Sequence, residues 1–155
     1  MKKLFAIGLG TIISCSGMPS DKTSPMQDNA QIIVSESQGG TGKPGFTILK
    51  NEQEFQSVIR KSQFGIVEAG TDVQSKIPAF PSGKTVVLYN LGTFNSGDHT
   101  VTQINNISVQ NKVLYVEVPQ KVSGGMEIQV ISHPWIIFAV PAGYQFNSVE
   151  LKYSK

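Results

Sequence analysis

The 155-residue sequence predicts a mainly β protein, α+β at the margin: an antiparallel sheet or sandwich with one short α-helix near residues 52–62. Three observations predict it. From residue 84 onward, apolar runs recur about every ten residues, with Gly, Asn, Ser or Pro between them. Leu114, Val116 and Val118 alternate with Tyr115 and Glu117, the period of a strand buried on one face. Only the window after Asn51 combines a helical apolar period with a cap at its start. Composition agrees, since 15% charged residues with 15 Gly and 8 Pro favour β structure with frequent turns.

Taken in order, the folded part starts near Gln31. Ile32–Val34 and Phe46–Leu49 read as two strands, expected to pair as a hairpin across the loop QGGTGKPG. Gly42-Lys43 in that loop is not a phosphate-binding signature, because the spacing is wrong and Pro44 stands where Ser or Thr is needed. Asn51 is the expected helix N-cap, with Glu54 closing a capping-box pair and Phe55, Val58 and Ile59 forming the apolar face. Residues 64–83 read as an irregular connection closed by Pro78 and Pro81. Strands then follow at 85–91, 100–109, 113–118, 126–132, 135–140 and 149–153. Gln110-Asn111 marks a tight hairpin, with Asn111 suited to a left-handed conformation.

Residues 1–14 read as a signal peptide rather than as fold. Lys2 and Lys3 precede the ten-residue apolar run Leu4–Ile13, which is too short to span a bilayer as a helix. The run ends in Ile12-Ile13-Ser14-Cys15, which resembles the bacterial lipobox. That resemblance implies cleavage before Cys15, the only cysteine, and its lipidation. Burying acyl chains contributes about 0.8 kcal/mol per methylene, so two or three chains hold a protein at a membrane. Residues 15–30 are then the lipidated cysteine and a polar tether, reaching about 50 Å if fully extended and averaging about 20 Å as a coil. A single β-rich domain is expected over 31–155. Ser16 after Cys15 resembles a signal for outer-membrane sorting, so the expected location is the cell envelope, lipid-anchored at the outer membrane.

Cleavage also changes the charge. Loss of Lys2 and Lys3 from 13 basic residues leaves 11 against 11 acidic ones, all of which follow Cys15. A balanced chain offers no basic patch to suggest nucleic acid or anionic lipid as a partner, and no nucleic acid is expected to bind. The inventory for catalysis is equally thin. His99 and His133 are the only histidines, and no nucleophile elbow, helical His pair or close carboxylate pair occurs. Asp98-His99 are adjacent, so on a strand they would point to opposite faces. The expectation is a protein that is not an enzyme and uses no metal or cofactor.

Three loops remain as candidates for contact. The first is 92–100, where Asn95, Ser96, Gly97, Asp98 and His99 form the tip. The second is Ser123-Gly124-Gly125, most simply a turn. The third is Ser132–Trp135, where His133 and Trp135, the only tryptophan, would contact a partner or support the corner.

Residues 84–140 resemble the C-terminal domain of the PrcB family, named for a lipoprotein subunit of a bacterial surface protease complex. The stretches that carry the resemblance are TVVLYNLG, NSGDHTV, INNISVQNKVLYVEV and ISHPWIIFAVP, in the family's order and spacing. In the family's Asn-Thr-Gly-Gly-Tyr loop, Asn95 and Gly97 fit while Asp98-His99 replace the Gly-Tyr end. The resemblance implies a non-catalytic accessory lipoprotein that stabilises or docks a protease, with an envelope protein as its partner. A second resemblance is to the chagasin-like inhibitors of papain-type proteases, which present Asn-Pro-Thr-Thr-Gly, Gly-Gly and Arg-Pro-Trp loops from a sandwich. NSG, SGG and HPW occur here in the same order, and they imply an alternative function as a protease inhibitor. The nine-residue step from Gly124 to His133 is shorter than that pattern's pair of strands requires.

Overall fold

A computed structural model describes residues 30–63, 77–120 and 129–154. Cys15, the tether up to Asn29 and the Ser123-Gly124-Gly125 loop lie outside the described residues. Among the described residues, seven strands and one helix form two sheets and a covering layer: β1 (Gln31–Glu36), β2 (Gly45–Leu49), α1 (Glu52–Gln63), β3 (Lys84–Asn90), β4 (Asn106–Gln110), β5 (Val113–Pro119), β6 (Trp135–Pro141) and β7 (Ser148–Ser154). The mainly β class with a single helix is the one that the sequence predicts.

The first sheet has the order β1-β6-β3-β2, with every pair antiparallel. Its centre is β6, the run WIIFAV, buried at every position from Trp135 to Val140. A strand flanked on both edges and covered on both faces needs such an uninterrupted apolar run. Ile136, Phe138 and Val140 point into the core shared with the second sheet. Trp135, Ile137 and Ala139 point the other way, into a core with Phe55 and Ile59 of α1. The second sheet, β4-β5-β7, lays Ile107, Leu114, Val116, Val118 and Val149 against the first. The result is a helix on a sheet on a sheet.

Local chemistry explains the elements that form as expected. Asn51 Oδ1 accepts from the Glu54 amide at 2.9 Å, and Glu54 Oε2 accepts from the Lys50 amide at 2.9 Å. These bonds satisfy donors that the helix start leaves open. Acidic Glu52 and Glu54 at the first turn and basic Arg60 and Lys61 at the last suit the helix dipole. Between β4 and β5, Asn111 and Lys112 both have positive φ (52° and 63°), the geometry of a two-residue hairpin turn.

Four expectations are corrected. β1 and β2 do not pair with each other: they lie at opposite edges, on β6 and β3. Their loop cannot close a hairpin because the more apolar β6 and β3 occupy the space between them. The strand expected over 100–109 begins only at Asn106. Its first residues are diverted because the Asp98 carboxylate accepts from both the amide and the hydroxyl of Thr100. Of the strand expected over 126–132, residues 126–128 lie outside the described residues, and among the rest only Ser132 pairs, in one bridge to Phe94. Finally, β5 and β7 run parallel, so the second sheet is mixed.

The two sheets are also joined near Tyr89 of β3. Burial raises the pKa of its hydroxyl, a hydrogen bond from the Leu151 backbone in β7 opposes that shift, and the Glu150 carboxylate adds to it. Tyr153 is raised as well, by burial first and by Tyr89 second. A phenol with a raised folded-state pKa stabilises the fold below the unfolded value of 10.0, and this contribution is lost as pH rises through the folded value. Stability against urea is therefore expected to be insensitive to these groups below pH 10.0 and to fall above it, with a shallower fall in Tyr89→Phe.

Candidate functional site

Strand polarity gathers three connections at one end of the first sheet. Glu36 at the end of β1 and Asn90 at the end of β3 both pair with Trp135 at the start of β6, and Gly45 at the start of β2 pairs with Asn90. The loops 37–44, 91–100 and 129–134 must therefore leave from the same place. Hydrogen bonds between them make one surface of the three. Phe94 and Ser132 exchange backbone bonds at 3.0 and 2.8 Å. Gly40 N donates to the His133 carbonyl at 2.9 Å, and Leu91 N to the Pro134 carbonyl at 2.9 Å. Thr41 N donates to Asn90 Oδ1, Thr93 Oγ1 to the Gly42 carbonyl, and Gln38 Nε2 to the Ile131 carbonyl.

Two glycines permit this approach. A Cβ on Gly40 would stand 2.6 Å from the His133 carbonyl oxygen, and one on Gly92, whose φ is 97°, would stand 2.9 Å from the Pro44 ring. In the 92–100 loop, Gly97 takes the left-handed conformation (φ 74°) at the tip. His99 stacks on Phe94 with ring centroids 3.8 Å apart and 20° between planes. Its Nε2 lies 2.8 Å from the Ser96 carbonyl, a position in which that nitrogen donates to the backbone. Asp98 meanwhile binds Thr100, so both polar tip residues brace the loop. Val130 and Ile131 are exposed on the third loop (50% and 61%), apolar area beside this polar surface. A cleft of about 260 Å³ opens beside it, between Asp98–Thr102 and the strand ends at Pro119 and Tyr153.

The sequence-derived candidates thus divide. Asn95 and Asp98 are exposed, and Ser96, Gly97, His99 and His133 are half-buried on the shared end. Trp135 is 2% exposed, and its indole N–H donates to the Gln38 carbonyl at 2.8 Å. It supports the surface from below and presents no ring to a partner. Sequence reasoning missed the 37–44 loop as part of this end. The signal was present in Gly39, Gly40 and Gly42, since clustered glycines mark close backbone approach as well as turns.

Among the described residues, no group of three or more His, Cys, Asp or Glu side chains is placed to hold a metal ion, and no helix is long and apolar enough to cross a membrane. No protein-family model, curated protein or solved structure matches the chain. The likeness of residues 84–140 to the PrcB family rests on the residue pattern alone.

Close packing at Gly40 makes a direct test of this assembly. Gly40→Ala is expected to cost about 1–3 kcal/mol, because backbone rather than a mobile side chain must yield. Gly45→Ala, with nothing within 4 Å of its Cβ, is the control and is expected to leave the unfolding midpoint in urea nearly unchanged.

Proposed function

We propose that this chain is a membrane-anchored, non-enzymatic lipoprotein of the cell envelope, held by acyl chains on Cys15, that docks an envelope protein through the end formed by loops 37–44, 91–100 and 129–134. A protease is the partner class that the PrcB resemblance suggests. The observation that carries the reading is the joining of the 92–100 loop to the 132–135 corner through Phe94 and Ser132. Clustering of the loops at one end, rather than dispersal around the molecule, favours a contact surface over isolated turns. A braced surface loses less conformational entropy on binding than free loops do. Exposed Asn95 supplies a polar contact, Asp98 and His99 hold the tip in shape, and Val130 and Ile131 supply apolar area. An interface of standard size takes about 800 Å² from each partner.

The inhibitor alternative shares the adjacency of the two loops. It asks more of Trp135, which would have to enter a protease cleft, and the buried indole favours docking over plugging.

Photocrosslinking in the producing bacterium tests the reading. A photoreactive residue at Asn95 is expected to yield an adduct with one envelope protein, while the same probe at Gly143, at the opposite end, yields none. Equal labelling from both positions, or none from Asn95, contradicts it. Palmitate labelling tests the anchor separately, with loss of label expected in Cys15→Ala. Stoichiometric loss of papain-type protease activity on adding the full chain would transfer the conclusion to the inhibitor alternative.

A further inference from the structure

A sheet edge exposes amides and carbonyls with which another strand can pair, and natural edges are protected by charge, bulge, proline or cover. Among the described strands, three of the four edges carry such protection. β1 has a bulge between Ile32 and Val34 and ends in Glu36. β2 follows Pro44, leads at once into α1 and lies beside β7 of the other sheet. β7 carries charged Glu150 and Lys152, and its Leu151 backbone bonds the Tyr89 hydroxyl. The fourth edge is β4. Its sequence, NISVQ, has neither charge nor proline, and it pairs with β5 in one unbroken register.

The hairpin turn decides which groups of β4 face outward. Asn111 and Lys112 form a two-residue turn, which makes Gln110 and Val113 a hydrogen-bonded pair. Alternation then turns the backbone groups of Ser108 and Asn106 toward β5 and leaves those of Ile107 and Val109 on the free edge. Among the described residues, no other element bonds to them. The side chains of Ile107 and Val109 join the core between the sheets, while those of Asn106, Ser108 and Gln110 lie on the outer face.

We propose that β4 pairs antiparallel with β4 of a second copy of this chain, across a two-fold axis at Ser108, so that β4-β5-β7 continues into the same sheet of the other copy. The strand is self-complementary in this register. Ile107 of each copy stands opposite Val109 of the other, exchanging backbone bonds and extending the apolar inner row. On the outer face Asn106 meets Gln110, two uncharged amides, and Ser108 meets Ser108, so no like charges are opposed. This match of apolar with apolar and amide with amide selects a second copy as the occupant. A contact of one five-residue strand is smaller than a standard interface of about 800 Å² per partner, so association depends on concentration. The axis reverses the strands, and β5 ends beside the cleft at Asp98–Thr102. The loop-bearing ends of the two copies therefore point in opposite directions, and the pair offers two such surfaces.

Cysteine cross-linking reads the register. In the full chain carrying Cys15→Ser, the introduced thiol is the only one. Ser108→Cys is expected to form a disulfide-linked dimer on mild oxidation, since directly opposed Cβ atoms lie about 4.5–5.5 Å apart. Asn106→Cys is expected to form none, because its counterpart stands four residues along the strand, about 14 Å away and out of disulfide reach. Sedimentation in the same background, without added cysteine, reads the association itself. The mass is expected to shift from one chain toward two as concentration rises. Ser108→Lys and Ser108→Glu are each expected to stay at one chain, and an equimolar mixture of them to recover the pair. Equal cross-linking at 106 and 108, cross-linking at neither, or a chain that stays single at every concentration overturns the proposal. A Ser108→Lys variant that associates as its parent does overturns it as well.

Discussion

Burial of one strand on both faces is the constraint on which this structure depends. β6 has neighbours along both edges, α1 and its apolar side chains below, and a second sheet above. Each fully buried Ile, Val or Phe contributes about 1.5–3 kcal/mol relative to exposure, so a run of six consecutive buried residues concentrates much of the hydrophobic stabilisation in one segment. No cysteine among the described residues can add a cross-link, so packing alone must offset the entropy of ordering the chain. The alternation of β6 decides which layer each side chain joins, and a register slip of one residue would exchange the two cores.

The same strand organises the candidate surface. Its first residue, Trp135, pairs with the ends of β1 and β3, and its indole reaches the Gln38 carbonyl. Just before it, Ser132, His133 and Pro134 supply the carbonyls and amide to which the neighbouring loops attach. Loop order at this end is thus inherited from the core strand. Some cost is visible at the corner, where the Ser132 hydroxyl is buried with no hydrogen-bond partner among the described residues. Polar side chains that might have served chemistry are instead spent on bracing, His99 on Phe94 and Ser96, and Asp98 on Thr100.

What was legible in the sequence followed from local periods and caps. The helix, the Asn111 turn and the strand at 113–119 each carry their signal within a few residues of themselves. What was not legible depends on distant competition. Ile32–Val34 and Phe46–Leu49 look like a hairpin until two strands from later in the chain insert between them. The parallel pairing of β5 with β7 is set by how the 142–147 connection crosses between sheets, which no residue pattern announces. At the candidate end, the turn at Gly97 was readable from composition, whereas the contribution of Gly40 required knowing that His133 lies against it. The role of Trp135 was readable only as a choice between support and contact, and burial decides for support.

Native-state hydrogen exchange at the loop amides tests most directly whether three connections form one braced end. Gly40, Leu91, Phe94 and Ser132 lie outside regular strands, yet their amides donate to carbonyls of neighbouring loops. Protection of these four comparable to that of β6, lost together in Gly40→Ala, is the result the account predicts. Exchange of the same amides at the rate of free loops, while β6 remains protected, would contradict it.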